Sequence, residues 1–350
     1  MSPSLHPLRS KPKVPDHRLA DAPDFAKAMV EQALAPVLAD LDELNQRIMS
    51  YVPAKTMSAR SVSAHILGSG GKRIRPALFF MSCHLLEYHG EHYYQIAAVT
   101  EFVHTASLLH DDVVDTSSLR RGKPTANSIY GDATSVLVGD LIYSTASELM
   151  AATGNMEIVR TFARAIRLMS DGELLQLENL FNPLVDEEVY LHILEYKTAT
   201  LIEAACKSAG LLAGVAPSRW EALGRFGHEV GMAFQLIDDA LDYTGSAELV
   251  GKATLSDLPD GKVTLPVILL RNLATSQELQ RLAHLLQGKV DLAATREVAA
   301  LVTKYNTAEL TVQRAQGYTM RAMEALHSFP PSTARGHLEN LANKLLFRFK

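Results

Sequence analysis

Residues 219–245 read RWEALGRFGHEVGMAFQLIDDALDYTG. Apolar side chains recur every three and four positions along this stretch, which lines them up on one face of an α-helix. Towards its end Asp238, Asp239 and Asp242 break the apolar pattern. The same D-D-x-x-D spacing occurs earlier in LLHDDVVD, as Asp111, Asp112 and Asp115. Acid is favoured at helix N-termini, yet both motifs follow long apolar runs, so an end-capping role explains them poorly.

The helical spacing extends outward from there. FAKAMVEQALAPVLADLDELNQRIMSYV (25–52), MEIVRTFARAIRLMSDGELLQLENLF (156–181) and VYLHILEYKTATLIEAACKSAGLLAG (189–214) repeat it. Period-two alternation rich in Val, Ile and Thr is scarce, so no substantial sheet is expected. Breaks fall at 68–71, 121–124, 182–183, 214–217, 259–261 and 330–331, and none has the length of a linker. The expectation is an all-α, large single-domain helical bundle over residues 24–350, around a central deep cavity. Residues 1–23, with four prolines before Asp16, read as a disordered tail.

Composition narrows the function classes. The chain has 350 residues, 47% hydrophobic and 21% charged, enough to bury a large core. A net charge of −5 gives no sign of a nucleic-acid partner. No run of eighteen apolar residues suggests a transmembrane segment. Cys83 and Cys206 stand far apart and form no metal-type pair, which favours a reducing, cytoplasmic setting.

A helix turns about 100° per residue, so Asp111 and Asp115 project within about 40° of each other, and Asp238 and Asp242 do likewise. If the two helices face each other, four carboxylates converge on one cavity, with Asp112 and Asp239 at its edge. Such a cluster is strongly repulsive without cations. Its donors are hard oxygens, which suit magnesium held together with substrate phosphates. Basic groups lie beside Gly, Pro or helix breaks: Gly71, Lys72 and Arg75 in GSGGKRIRP, Arg120 and Arg121 in SLRRGKP, Lys197 beside Thr198, and Lys252 and Lys262 after the second motif. Together they form a divided anion site, with a glycine-exposed backbone at one helix start.

GGKRIRP, DDVVD followed by RRG, GExxQ (Gly172, Glu173, Gln176), the Lys-Thr pair, FQLIDDALD and GK…DxxxGKxTLP occur in order. In this set the chain closely resembles the trans-type isoprenyl diphosphate synthases, the polyprenyl synthetase family, from about Ala26 to Lys350. The resemblance implies an isoprenoid-synthase bundle, usually a homodimer. It implies head-to-tail condensation of isopentenyl diphosphate with an allylic diphosphate of farnesyl or geranyl type. It implies about three magnesium ions ligated by Asp111, Asp115 and Asp238, with Asp112, Asp239 and Asp242 supporting them. Arg120, Lys197, Lys262 and Lys252 then bind the allylic diphosphate. Gly71, Lys72, Arg75, His104 and Arg121 hold isopentenyl diphosphate. Thr198 and Gln235 sit where the family stabilises the developing cation.

Product length is expected to depend on Ser107 and Ala106, one turn before Asp111. Both are small, and Val103, Thr100 and Ala97 continue the line. One turn is about 5.4 Å, close to one isoprene unit. The implied product is a medium or long all-trans chain of octaprenyl type, as used for quinone side chains, stopped near Tyr143 or Leu149. A geranylgeranyl or farnesyl product is the alternative. A di-iron bundle using Glu101, His104, Glu324 and His327 leaves both acidic motifs unexplained. A terpene cyclase would lack GGKRIRP, and a non-catalytic subunit would lack part of the charged set.

Overall fold

The computed structural model describes residues 29–68, 71–120, 122–244, 255–288 and 290–346. The tail 1–23, Arg121 and Lys252 lie outside them. The principal helices are α1 (Leu38–Arg47), α2 (Met57–Leu67), α3 (Ile74–Leu85), α4 (Tyr93–Val114), α5 (Ala126–Tyr130), α6 (Asp132–Ala152), α7 (Met156–Glu178), α8 (Glu187–Leu194), α9 (Thr200–Leu212), α10 (Pro217–Thr244), α11 (Leu265–Ile268), α12 (Ser276–Leu285), α13 (Leu292–Lys304), α14 (Thr307–Ala325) and α15 (Thr333–Leu346). The all-α expectation holds. Strand pairing among the described residues is limited to β1 (Leu119–Arg120) against β2 (Lys123–Pro124), antiparallel, with Arg120 opposite Lys123. Among them no helix is long and apolar enough to cross a membrane.

Local chemistry sets several boundaries. The Thr56 hydroxyl accepts from the Ala59 amide at the start of α2, and Asn155 accepts from Glu157 at the start of α7. Thr275 and Glu278 cap each other at α12. The start of α3 is different. Arg73 sits there in the left-handed region, φ 45° and ψ 40°. Its guanidinium donates to the Leu67 carbonyl at 2.7 Å and to Asn45 at 3.3 Å, and pairs with buried Glu101 on α4. Arg73 thus ties the glycine-rich turn to α1, α2 and α4.

Two apolar clusters fill the interior. One is built mainly by α1–α7, α9 and α15, the other by α8 and α11–α14. The longest helix, α10, runs from the first into the second. Phe226 and Val230 belong to one cluster, Leu236 and Ile237 to the other. Each large side chain buried this way stabilises the fold by about 1.5–3 kcal/mol. The second acidic motif lies on the last turns of α10 and the first on the last turn of α4. Polar chemistry therefore gathers where helices end, at the seam of two apolar cores.

Candidate active site

The first motif ends α4. Asp111 is half-buried, Asp112 is 1% exposed and Asp115 stands exposed at the C-cap. Arg120, on the short hairpin, places Nε and Nη2 each 2.8 Å from Asp112 Oδ1. The Asp112 carbonyl accepts from the Ser117 amide and from Asn127 Nδ2. Asp112 is therefore an internal anchor that folds the segment after α4 back and holds Arg120 beside the site.

The second motif repeats the arrangement with neutral partners. Asp239, 4% exposed, accepts from the Tyr190 hydroxyl at 2.6 Å and from Gln235 Nε2 at 2.8 Å. Gln235 Oε1 in turn accepts from the Thr198 hydroxyl at 3.1 Å. Asp242 receives the Ser256 amide at 3.1 Å, the Ser256 hydroxyl at 3.3 Å and the Asp257 amide at 3.2 Å. It docks the segment that carries Lys262. Asp112 and Asp239 are each the most buried member of their motif, and Asp239 lines the cavity described below. The physical reason is the rotation of about 100° from the preceding aspartate, which turns each inward to donors that compensate its burial.

Between the motifs lies a wide turn. Glu195–Ala199 forms a π-helical turn joining α8 to α9, closed by the Thr200 amide on the Glu195 carbonyl. Lys197 and Thr198 project from it. Two glycines let neighbouring helices approach. A Cβ at Gly172 would lie 2.7 Å from Tyr196 Cβ and 3.0 Å from Lys197 Cγ, and one at Gly231 would lie 2.6 Å from Ala199 Cα. The Lys197 ammonium pairs with Glu173. The other Glu173 oxygen is buried with no hydrogen-bond partner, as is Asp112 Oδ2.

The electrostatics are those of a site short of positive charge. Burial, and then the charge of Glu173, push the Asp111 carboxyl up to about 7, although Lys197 and Arg120 oppose the rise. Burial pushes Asp239 up to about 6 against its bonds to Tyr190 and Gln235. Burial also works against the charge of Lys262, but Asp257, Asp260 and Asp115 outweigh it and raise its pKa. A cavity of about 200 Å³ opens here, lined by Gln176, Lys197, Thr198, Gln235, Asp239 and Lys262 among others. No three acidic or histidine groups among the described residues converge closely enough to hold an ion by themselves. An open set of hard oxygen donors, Asp111, Asp112 and Asp239 among them with raised proton affinity, fits a cation that keeps waters and shares phosphate oxygens.

Other predicted residues divide clearly. Gly71, Lys72 and Arg75 open α3, bound through Arg73 and Glu101 to α4, where half-buried His104 lies one turn further on. Ala97, Thr100 and Ala106 are fully buried and Val103 is 1% exposed. Ser107 donates its hydroxyl to the His104 carbonyl. None of these lines the cavity at the motifs. Tyr143 and Leu149 pack against the first apolar cluster. The di-iron alternative is excluded, since Glu101 is bound to Arg73 while Glu324 and His327 are exposed. The sequence reading gave no role to Glu173 and missed Tyr190. The GExxQ spacing carried a signal for the first; the second had none.

The polyprenyl synthetase family model matches residues 57–304. Octaprenyl diphosphate synthase of Escherichia coli (strain K12) is 37% identical over 304 residues, covering 87% of this chain and 94% of that protein. All-trans-nonaprenyl-diphosphate synthase (geranyl-diphosphate specific) of Rhodobacter capsulatus is 38% identical over 324 residues, covering 91% and 98%. Among solved structures, a polyprenyl synthase from Caulobacter crescentus CB15, complexed with calcium and isoprenyl diphosphate, matches with a TM-score of 0.86. It is 36% identical and covers 92% of this chain and 98% of that one.

Proposed function

The chain belongs to the polyprenyl synthetase family, and from that premise we propose a trans-prenyltransferase that builds a medium or long all-trans polyprenyl diphosphate of octaprenyl type. The allylic C–O bond breaks, leaving diphosphate and an allylic cation. The double bond of isopentenyl diphosphate attacks that cation, and the proton lost from the adduct goes to the released diphosphate. The observation that carries this reading is the seam itself. Lys197, paired with Glu173, lines one cavity with Lys262, Gln235 and Asp239, and Arg120 is held on Asp112, next to Asp111 in the first motif.

Asp111, Asp115 and Asp238 would hold magnesium, about three ions by family likeness, which neutralises the leaving diphosphate. The calcium in the Caulobacter relative supports a hard divalent cation. Arg120, Lys197 and Lys262, with Lys252, take the allylic diphosphate. Gly71, Lys72, Arg75, His104 and Arg121 take isopentenyl diphosphate. Thr198 and Gln235 face the developing cation. Two copies pair into a homodimer, a reading supported by exposed Val136 and Leu137 on α6. Free, buried Cys83 and Cys206 suit a cytoplasmic setting. The product serves as a quinone side chain.

Mass spectrometry of the product from farnesyl and isopentenyl diphosphates with magnesium tests the reading. An octaprenyl-length product is expected, and no elongation at all would overturn it. The same spectrum separates an octaprenyl-type product from a geranylgeranyl or farnesyl one, the alternative reading.

A further inference from the structure

Tyr190 belongs to none of the sequence motifs and is 3% exposed. Its ring packs in the second apolar cluster, where a phenylalanine would fit as well. What distinguishes it is the hydroxyl, 2.6 Å from Asp239 Oδ2. A carboxylate only accepts hydrogen bonds. The Gln235 atom facing Asp239 Oδ1 at 2.8 Å is therefore its amide nitrogen. That orientation turns the Gln235 carbonyl towards Thr198, whose hydroxyl donates to it at 3.1 Å. The Thr198 oxygen has one proton and two lone pairs, and the proton is now used. Tyr190 remains a donor, because burial and then the charge of Asp239 push its phenol well above the ordinary range.

We infer that Tyr190 is a positioning residue for the condensation: acting through Asp239, it orients Gln235 and Thr198 so that these two side chains turn lone pairs towards the cavity. Thr198, Gln235 and Asp239 line that cavity together. Preset acceptor dipoles stabilise positive charge as it develops, whereas an amide N–H turned the same way would oppose it. The direction of all three hydrogen bonds is set from the buried end. If the Tyr190 hydroxyl is lost, Gln235 is the one of the two donors left on Asp239, so the carboxylate is free to rotate and carry the Gln235 side chain with it. The inference rests on the proposed condensation, so its test is read against a wild-type protein that makes product.

The measurement is the single-turnover rate of the first condensation, with enzyme in excess over farnesyl diphosphate and magnesium saturating. Tyr190→Phe is expected to lower it about 10–100-fold, the usual loss when a group that orients a functional side chain is removed. KM for both substrates and the magnesium half-saturation are expected to stay within about twofold. Thr198→Val is expected to slow the step and Thr198→Ser to retain it. The losses from Tyr190→Phe and Thr198→Val are expected not to add, because they interrupt one network. A wild-type rate in folded Tyr190→Phe, or fully additive losses, would overturn the inference. If Tyr190→Phe does not fold, Asp239→Asn serves instead. Its slowed step is expected to persist at saturating magnesium, and full recovery with added magnesium would overturn the inference in favour of a metal-holding role. Absence of product from the wild type would instead sink the proposed condensation.

Discussion

The two acidic motifs share a spacing but are built into the protein by different chemistry. In the first, buried Asp112 is held by the guanidinium of Arg120, and Asp115 stands exposed at a helix end. In the second, buried Asp239 is held by two neutral donors, Tyr190 and Gln235, and Asp242 is itself buried, holding the segment at Ser256 and Asp257. In the proposed reaction the ionic anchor would hold Arg120 beside the leaving diphosphate. The neutral anchor would hold Gln235 and Thr198 where positive charge develops. The motifs therefore differ as the two ends of the proposed reaction differ.

The largest effect tests what the motifs have in common. Asp111→Ala and Asp238→Ala are each expected to lower turnover about a thousandfold or more, the scale of losing electrostatic stabilisation of transition-state charge. Circular dichroism is expected to show both proteins folded. Near-wild-type turnover in either variant would remove the shared role and leave two structural motifs.

The next test separates the anchors. Arg120→Met leaves Asp112 buried without its cation. Breaking a fully buried pair costs about 3–5 kcal/mol. The Arg120 side chain is 34% exposed, so about 1–3 kcal/mol is expected after allowing for water. Urea unfolding measures it. Arg120→Met with Asp112→Leu is expected to recover most of that stability but not the activity. A double variant as unstable as the single one would mean that the pair is not the anchor.

Much of the comparison was legible in the sequence, and the rest was not for physical reasons. Long apolar periodicities at 156–181 and 219–245 mark helices that the structure contains, as α7 and α10. The motif spacing marks which aspartates share a face. It does not say how deeply Asp112 and Asp239 are buried or which donors hold them. The π-helical turn at Glu195–Ala199 has no sequence signature, because a single widened turn changes hydrogen bonding and not composition. In GGKRIRP the three cations look alike. Only their surroundings separate Arg73, bound to Glu101, from Lys72 and Arg75. Arg121 and Lys252 lie outside the described residues.

A smaller effect is expected where α7 meets the π-helical turn that serves both motifs. Gly172→Ala adds a Cβ 2.7 Å from Tyr196 Cβ, and ordinary contact begins at 3.4 Å, so the two must part by 3.4 − 2.7 = 0.7 Å. Lys197 and Thr198 move with Tyr196. Displacements near 1 Å cost about a hundredfold, so roughly tenfold is expected here in kcat, with little change in unfolding midpoint. An unchanged kcat would mean that the turn tolerates displacement.

The last test uses pH, and it turns on Glu173. Burial first, and then the Glu173 charge, raise the Asp111 carboxyl to about 7. A raised carboxyl pKa means that the charged form is disfavoured and becomes dominant only above that pH. A cation at Asp111 competes with the proton, so at subsaturating magnesium the rate is expected to fall as pH drops through about 7. Glu173→Gln removes the negative charge and also releases Lys197, whose attraction lowers the Asp111 pKa further. Both changes have the same sign, so the midpoint of the pH profile is expected to move down, whatever happens to the maximal rate. Asp239 is held at about 6 by burial against its bonds to Tyr190 and Gln235, with Asp238 and Asp242 as its charged neighbours. Glu173→Gln is expected to leave that contribution in place. A midpoint that stays put or moves up would mean that the profile reports the second motif, and the electrostatic contrast between the two would have to be drawn the other way round.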